Sequence, residues 1–411
     1  MKKIAFIIIR YGREVNGGAE AHCRMLAERL TPYYDVEVLT TTTRVFNDPA
    51  QDFEEGTSVE NGVRIRRFKP HPVDGERYPT YYRRGKWARR IRIRLDKLGL
   101  LGLFTTLHPT WKFGLEAERR MFEAQPDHTP QMMEFIRDHR EEYHAFLFMN
   151  FYFSQTVLGT QIAPEKSILI PLAHPDKPLY FASNIPMFTL VRHIAFNTRA
   201  EERMCRRIFG RAMAPGSIVG CGIEEVEPAD WTTVRERYGL PERYVLYLGR
   251  VTRQKIGRII PEFLRYKRRY GGTARLVMVG GIDPEVERPA GDEVIMTGFV
   301  DDAEKSTIVR HATVMVNPSA QESLSLLMLE AMQNRIPALV NGRSEVMKDH
   351  CRLSGAALWY DSWRDFRHKL HRLLDDDALR QRLTARGPAY VEANYSWAVI
   401  ISRLRKLIER L

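Results

Sequence analysis

The sequence predicts an α/β fold with two successive Rossmann-like domains, each built on a doubly wound parallel sheet. Short apolar runs of strand length alternate with helical segments in both halves of the chain, which is typical of parallel sheets. The 411 residues are enough for two domains with separate hydrophobic cores. We expect the first domain at residues 1–222 and the second at residues 223–394, with a linker near residues 222–242.

The first half opens with an apolar run at residues 4–9. We interpret it as a buried strand and not as a signal peptide, because Arg10 ends the run early and no cleavage site follows. The glycine pair Gly17-Gly18 then leads into a helix, and Thr198 has the form of a helix cap to which Glu201 reaches back. Further strands are predicted at residues 36–40, 63–68, 145–151, 167–173 and 193–197.

The alternation breaks between about residues 74 and 130, where we expect an irregular basic insertion. Residues 83–97 interleave many Arg and Lys side chains with Trp and aliphatic side chains, and aromatic residues continue to residue 113. A basic amphipathic segment suits an anionic membrane surface. An acidic ligand and a plain solvated helix face are alternatives that the pattern leaves open.

The second half shows the same alternation after an acidic, Pro-containing stretch at residues 224–228. A helical tail is predicted from about Ser362, and residues 397–411 have an amphipathic pattern. Together these segments predict a second doubly wound domain with a helical end. Its strands are predicted at residues 244–248, 275–279, 293–297, 313–317 and 337–341.

Composition narrows the class of partner. The formal net charge of +12 favours anionic partners such as nucleotide phosphates, phospholipid surfaces or nucleic acid. The four cysteines are scattered without metal-ligand spacing, so we expect reduced thiols in a cytoplasmic protein. No apolar stretch approaches the roughly 20 residues that span a bilayer, so we expect any membrane contact to be peripheral.

The most informative motif is a pair of glutamates, Glu322 and Glu330, separated by small hydroxyl residues and an apolar run. The motif follows a predicted strand that ends near Pro318, so we expect Glu322 at the mouth of a helix and Glu330 about two turns inside it. A helix mouth offers free N–H groups to an anionic or hydroxyl-rich ligand. An amphipathic helix with a capping acid would show the same spacing.

Three further clusters follow predicted strands, where a doubly wound sheet opens its ligand crevice. Arg250 and Lys255 come after the first strand of the second domain and could bind phosphate oxygens. Gly17 and Gly18 would let the backbone approach a ligand closely. His174 lies just beyond another first-domain strand. Each cluster alone also fits an ordinary loop.

In combination, these motifs resemble the retaining glycosyltransferases of family 4, which have the two-domain GT-B fold. Glu322 and Glu330 match the paired-glutamate motif of that family, and Arg250 and Lys255 match its diphosphate clamp. The glycine pair matches the first-domain glycine loop, and His174 matches the strand-end histidine. The resemblance covers nearly the whole chain except about residues 74–130.

The resemblance implies a central cleft between the two domains and a final helix, residues 395–411, that crosses back to the first domain. It also implies that a nucleotide-diphosphate sugar binds the second domain and that a glycan or lipid-linked acceptor binds the first, with retention of configuration. Donor contacts are expected from Gly17, Gly18, Arg250, Lys255, Gly298, Phe299, Ser323, Leu324, Ser325, Leu326 and Glu330, and catalytic roles from His174, Glu322, Arg250 and Lys255.

We expect no metal or other cofactor, because the clamp supplies positive charge and no acidic pair has metal-ligand form. The departures from the family pattern are Ile256 before Gly257, Asn334 where Gly is usual, and a reduced glycine-rich turn at residues 342–345.

Three alternative functions stay open on the sequence alone: a nucleotide-sugar epimerase of the same fold, a phosphorylase-like enzyme, and a non-catalytic basic protein that binds nucleic acid or glycan. No recognition-helix motif supports nucleic-acid binding. The sequence does not identify the donor base, the sugar, the acceptor or the oligomeric state. We expect a cytoplasmic enzyme that associates peripherally with the inner face of the plasma membrane.

Overall fold

The computed structural model describes residues 1–15, 17–46, 52–71, 75–108 and 113–411. These residues form two compact units. The first unit contains Met1–Cys221 together with Ile400–Leu411, and the second contains Gly222–Val399. Among the helices in these ranges, none is both long and apolar enough to cross a bilayer.

The first unit is built on a sheet with the strand order β3-β4-β2-β1-β5-β6-β7-β8. All neighbouring strands are parallel except β3 and β4. The strand bounds are β1 (Lys3–Ile7), β2 (Asp35–Thr41), β3 (Gly56–Glu60), β4 (Val63–Phe68), β5 (Ala145–Met149), β6 (Ser167–Ile170), β7 (His193–Phe196) and β8 (Gly216–Ile218). The sequence pattern missed β3 and β8, because β3 is a mostly exposed edge strand and β8 has only 3 residues.

Helices cover this sheet, and a helical segment replaces the expected irregular insertion. Four helices lie between residues 77 and 123, because the basic tract has helical periodicity and buries one of its faces. The bounds are α1 (Gly18–Leu30), α2 (Arg77–Arg84), α3 (Lys86–Lys97), α4 (Leu101–Leu107), α5 (Leu115–Glu123), α6 (Pro130–His139), α7 (Ser154–Gly159), α8 (Asn184–Leu190) and α9 (Arg199–Phe209). Trp111 and Lys112, which belong to the predicted basic and aromatic segment, lie outside the described residues.

The second unit has a six-stranded, all-parallel sheet with the order β11-β10-β9-β12-β13-β14. Its strands are β9 (Tyr244–Leu248), β10 (Arg275–Val279), β11 (Val294–Gly298), β12 (Val314–Asn317), β13 (Ala338–Asn341) and β14 (Ala357–Tyr360). Apart from Arg275 and Asn341 at strand ends, the interior strands consist of buried residues, since helices cover both faces of a parallel sheet. The predicted α/β class with two doubly wound sheets is therefore confirmed.

The helices of the second unit continue the alternation. Their bounds are α10 (Trp231–Tyr238), α11 (Arg253–Ile256), α12 (Ile259–Tyr270), α13 (Asp302–Arg310), α14 (Leu326–Gln333), α15 (Glu345–Ser354), α16 (Trp363–Asp375), α17 (Asp377–Thr384) and α18 (Gly387–Tyr395). Helix α10 lies within the stretch that was expected to be a linker. The last helix, α19 (Trp397–Ile408), begins in the second unit, and its residues from Ile400 belong to the first.

Candidate functional site

The strand order of the second unit creates a crevice at one edge of its sheet. Successive strands run outward from β9 in one direction and from β12 in the other, so the topological switch point lies between these two neighbours. Ligands of open α/β sheets bind outside the carboxyl ends of the strands at such a point. Arg250 and Lys255 follow β9, and Glu322 follows β12. The topology thus brings both predicted clusters to the same crevice.

The segment after β9 presents the two cations. The Tyr247 hydroxyl donates a hydrogen bond of 2.9 Å to the carbonyl oxygen of Arg250 and so fixes the backbone there. Thr252 caps the short helix α11 by accepting a bond from the Lys255 N–H. The side chain of Arg250 is exposed, and within the described residues no salt bridge neutralises it. This cation is therefore available to an anionic ligand.

Lys255 and Glu322 are in contact across the crevice. Nζ of Lys255 lies 3.4 Å from Oε1 of Glu322, with side chains that are 44% and 20% exposed. Burial raises the pKa of the nearby Tyr247 hydroxyl, and the negative charge of Glu322 adds to this effect. A lysine that is partly exposed and paired with one carboxylate can still donate a hydrogen bond to a phosphate oxygen.

The helix after Glu322 begins later than the sequence predicted. Ser325 has φ of 68°, in the left-handed region, and α14 starts at Leu326. Glu322 therefore lies in the loop before the helix. Glu330 lies in the second turn of the helix, which is closer to the start of the helix than the sequence predicted. The Oγ atom of Ser325 accepts a bond of 3.1 Å from Nδ2 of Asn317. Ser323, Leu324, Ser325 and Leu326 thus form a turn whose backbone leads into the positive end of the helix.

Glu330 forms an ion pair with a different lysine from the one that contacts Glu322. Its Oε1 atom lies 3.5 Å from Nζ of Lys305 on α13. Burial raises the pKa of Glu330, while the charge of Lys305 opposes this shift. Both side chains line a small polar cavity of about 280 Å³. A carboxylate in this setting can accept hydrogen bonds from a diol.

Glycines line the carboxyl ends of β9, β10 and β11. Gly249, Gly280 and Gly298 all have positive φ, of 120°, 135° and 76°. A Cβ atom on Gly280 would lie 2.2 Å from the carbonyl oxygen of Gly249, so only glycine permits this approach of two backbones. Phe299 follows directly, and its ring is 71% exposed. An exposed ring beside a glycine edge offers a flat apolar surface.

The first unit has its own switch point, between β1 and β5. Gly17 and Gly18 follow β1 at the start of α1, and Gly18 has open space where a side chain would be. Glu20 folds back against Gly17, and its Oε1 atom accepts a bond of 3.0 Å from Nε of Arg10. The mouth of α1 is accordingly open at Gly18 and contains a paired carboxylate.

His174 follows β6 in a strained turn. The preceding Leu172 has φ of 52°, and Nε2 of His174 lies 3.2 Å from Oδ2 of Asp176. Beneath this turn, the buried Glu201 accepts hydrogen bonds from the N–H groups of Ala173 and Asn197. The Thr198 cap predicted from the sequence is confirmed, since its side chain accepts from the Glu201 N–H. Glu201 thus anchors the turn that presents His174.

A larger cavity of the first unit lies beside helices α2, α5, α6 and α7. Its volume is about 980 Å³, and its lining includes Arg77, Arg137, Tyr81 and His128. Among the residues that the structure describes, no group of three or more His, Cys, Asp or Glu side chains is arranged to hold a metal ion.

Sequence reasoning did not identify His350, Asn317 or Lys305 as part of this site. His350 lies on α15 and contacts the carbonyl oxygen of Leu324, and Lys305 contacts Glu330 from α13. His350 and Lys305 come from other elements, so no local motif links them to the glutamate pair, whereas Asn317 ends β12 directly before the loop. The acidic and hydroxyl-rich pattern of the loop was the sequence signal for the glutamate pair, and it did not point to His350 or Lys305.

Comparison with known proteins covers both units. The family model described as "Glycosyl transferases group 1" matches residues 242–376. The chain is 30% identical to the alpha-D-kanosaminyltransferase of Streptomyces kanamyceticus over 174 residues, which is 40% of this chain and 45% of that protein. It thus spans about half the length of that relative. An uncharacterized glycosyltransferase of Methanocaldococcus jannaschii is 23% identical over 96% of this chain and 95% of its own length.

Solved structures resemble the whole chain. The sucrose-phosphate synthase of Thermosynechococcus elongatus superposes with a TM-score of 0.69 at 19% identity, covering 100% of this chain and 99% of that one. HepE of Anabaena, solved in complex with UDP-glucose, superposes with a TM-score of 0.68 at 12% identity and covers 100% of both chains. At these identities the likeness concerns the fold, and it confirms the predicted GT-B architecture.

Proposed function

We propose that this chain, whose residues 242–376 belong to the group 1 glycosyl transferases and which has the GT-B fold, transfers a sugar from a nucleotide-diphosphate sugar to a glycan or lipid-linked acceptor. The observation that carries the proposal is the crevice between β9 and β12. It combines an exposed Arg250, the Lys255–Glu322 pair and the start of α14. These are the groups that a diphosphate joined to a hydroxyl-rich sugar requires.

The proposed roles follow the chemistry of each side chain. Arg250, Lys255 and the N–H groups at the start of α14 stabilise the charge that develops on the leaving diphosphate. Such preorganised electrostatic contacts are usually the largest catalytic contribution, and loss of one donor costs roughly 10²–10³ in rate. Glu322 holds a hydroxyl of the donor sugar, and His174 orients the sugar at the reacting centre.

The remaining donor contacts recognise the nucleoside. Glu330 binds the ribose diol, and Gly298 with the exposed Phe299 ring accommodates the base. The structurally similar HepE was solved with bound UDP-glucose, which supports a nucleotide sugar as the donor class. Thermal shifts with UDP, GDP, ADP and dTDP would identify the base.

We further propose retention of anomeric configuration, with the leaving phosphate accepting the proton of the acceptor hydroxyl. Glu322, the carboxylate of the crevice, is engaged by Lys255 and is therefore not an evident nucleophile. The first unit would bind the acceptor, and its cavity of about 980 Å³ is large enough for a glycan portion. Anomeric analysis of the product by NMR decides between retention and inversion.

The location in the cell belongs to the same proposal. All four cysteines are free and buried, which fits a reducing cytoplasm. Association with the inner face of the plasma membrane would bring the enzyme to a lipid-linked acceptor of polysaccharide or glycoconjugate biosynthesis. We do not propose nucleic acid as a partner, because no recognition-helix motif accompanies the net charge in the sequence.

The decisive experiment measures donor hydrolysis and transfer in Arg250→Ala and Glu322→Ala. Both variants should lose at least about 10²-fold in kcat/KM. Arg268→Ala removes an exposed arginine from α12 and serves as the control, with unchanged activity expected. Activity within twofold of wild type in both site variants would contradict the proposal. Product analysis without acceptor separates a transferase from an epimerase, which would convert the donor itself.

A further inference from the structure

The basic tract has two distinct faces in the structure. Arg89 and Arg92 point into the protein and are 4% and 0% exposed. Nη1 of Arg89 lies 3.6 Å from Oε1 of the buried Glu118, and its Nη2 donates to the carbonyl oxygen of Tyr82. These two arginines therefore support the fold and are not available to a partner.

The other basic side chains of the tract are exposed. They are Arg83, Arg84, Lys86, Arg90, Arg94 and Lys97. Lys86, Arg90, Arg94 and Lys97 recur at helical spacing and form one stripe along α3. Within the described residues, no salt bridge neutralises any of the six. Nearby acids are already engaged, since Asp96 binds Arg207 and Glu116 binds Arg120.

A group of large apolar side chains is exposed beside this stripe. Trp87 and Ile91 lie on α3 and are 52% and 40% exposed, and the Trp87 ring packs edge-on against that of Phe113 at a centroid distance of 6.0 Å. The group continues through the α3–α4 turn and along α4. Its members are Trp87, Ile91, Leu98, Leu100, Leu103, Phe104, Leu107 and Phe113, which we call the apolar rim. Large apolar side chains gathered in this way mark an interaction site.

Helix α4 holds its part of the rim rigidly. Thr105 is fully buried, and its hydroxyl is 3.0 Å from the carbonyl oxygen of Ile208 on α9. A Cβ atom on Gly102 would lie 2.7 Å from the carbonyl oxygen of Arg207, so α4 and α9 pack with their backbones close together. The opposite side of α4, with Leu103 and Leu107, stays outside this packing.

We propose that the apolar rim and the basic stripe of α3 form a docking surface for an anionic lipid bilayer. The helices would lie in the plane of the interface, with the rim among the acyl chains and the six cations at the lipid phosphates. Each cation near an anionic surface raises the affinity roughly fivefold. A second copy of the chain is disfavoured because two unneutralised basic stripes would repel each other. The inference does not depend on the donor chemistry of the second unit.

The test is co-sedimentation of the full chain with vesicles of phosphatidylglycerol and phosphatidylcholine, or of phosphatidylcholine alone. Binding is expected only with the anionic lipid, and it should weaken as salt rises. Arg90→Gln combined with Arg94→Gln should weaken binding roughly 25-fold, the product of two charges. The matched control, Arg268→Gln with Arg269→Gln, makes the same charge change on α12 and should bind like wild type.

The apolar contribution is tested by Leu103→Asn with Leu107→Asn. Both side chains are exposed, so the variant should keep the wild-type Tm and circular dichroism. It should bind anionic vesicles only at low salt. Binding to neutral vesicles equal to that with anionic ones, or no binding to either, would overturn the proposal. The proposal would also be overturned if light scattering showed a dimer of the wild type that Leu103→Asn with Leu107→Asn abolishes. The same holds if the wild type bound duplex DNA and the Arg90 and Arg94 changes abolished that binding.

Discussion

Nε2 of His350 lies 2.9 Å from the carbonyl oxygen of Leu324, in the turn that leads into α14. The imidazole is buried, and burial lowers its pKa to about 4, so the ring is neutral near pH 7. Because a carbonyl oxygen only accepts, Nε2 carries the proton, and Nδ1 accepts from the hydroxyl of Tyr390 at 2.9 Å. His350 is therefore a positioning residue for the proposed diphosphate-binding turn.

His350→Ala should loosen this turn and weaken donor binding. Loss of the bond leaves the Leu324 carbonyl without its buried donor, and we expect KM for the donor to rise about tenfold, with a smaller fall in kcat. Tyr390→Phe should have a weaker effect, because it removes only the hydrogen bond to Nδ1 and leaves the bond to Leu324 in place. Steady-state kinetics on the donor measure both variants.

The conservative variant His350→Gln should recover part of the affinity, since its amide can donate to Leu324. His368→Ala, an exposed histidine on α16, is the control. A His350→Ala protein that folds and binds the donor like wild type would show that the bond is irrelevant to the site.

Glu330→Gln should reveal whether this carboxylate binds ribose. Hydrogen bonds to a charged acceptor contribute about 1.5–3 kcal/mol, so the Kd of the nucleoside diphosphate should rise roughly 10- to 100-fold. The 2′,3′-dideoxy analogue lacks the diol and should bind both proteins equally. Isothermal titration with the two ligands checks this. An equal loss for both would mean that Glu330 acts only through its ion pair with Lys305.

Transfer should not require a divalent cation. Arg250 is exposed, and Glu322 is the one ion-pair partner of Lys255 among the residues that the structure describes. Both positive charges can therefore face the leaving diphosphate in the role that a metal would otherwise take. Initial rates in excess EDTA should equal those with added Mg²⁺. A rate that collapses with the chelator and recovers with the metal would contradict this assignment of charge.

Gly280→Ala should destabilise the second unit, while Gly281→Ala should not. Gly280 has φ of 135°, and its added Cβ would meet the Gly249 backbone at 2.2 Å, whereas nothing lies within 4 Å of a Cβ on Gly281. We expect the first change to cost at least about 2 kcal/mol of unfolding free energy. Urea denaturation of both proteins makes the comparison. Equal stabilities would show that the strand ends can separate.

Much of the fold could be predicted because its strands are determined by local sequence patterns. The interior strands of the second unit are mainly apolar runs, such as Tyr244–Leu248, and a parallel sheet covered on both faces produces such runs directly. Once the order of strands is known, the clusters after β9 and β12 must meet at one crevice. The contact of Lys255 with Glu322 follows from that topology.

The start of α14 could not be predicted with the same precision. Ser325 takes a left-handed conformation, which a sequence normally signals with Gly or Asn. Its cost is offset by the hydrogen bond that Asn317 donates from β12, a tertiary contact. The prediction that placed Glu322 at the mouth of the helix lacked this information, and the helix begins about one turn later, at Leu326.

The sequence also could not predict which arginines of the basic tract are buried and which are exposed. Arg89 and Arg90 are adjacent and chemically identical, yet one is buried and the other exposed. The difference depends on Glu118, which α5 brings against α3. Helical periodicity defines two faces, but only the tertiary partner decides which face turns inward.

The buried Glu201 should make stability depend on pH. Burial raises its pKa to about 8 from an ordinary value of 4.5, although three backbone N–H groups and His174 oppose this shift. The folded protein then binds more protons than the unfolded chain between these two values. The contribution of Glu201 to the free energy of unfolding is fully present below about pH 4.5 and is lost as pH rises towards 8.

Glu201→Gln cannot titrate, so the unfolding free energy of this variant should change less between these two pH values. Urea denaturation at several pH values gives the two slopes, and the slope is compared because the amide also weakens the bond to Ala173. Parallel pH profiles for wild type and variant would show that Glu201 stays ionised in the folded protein.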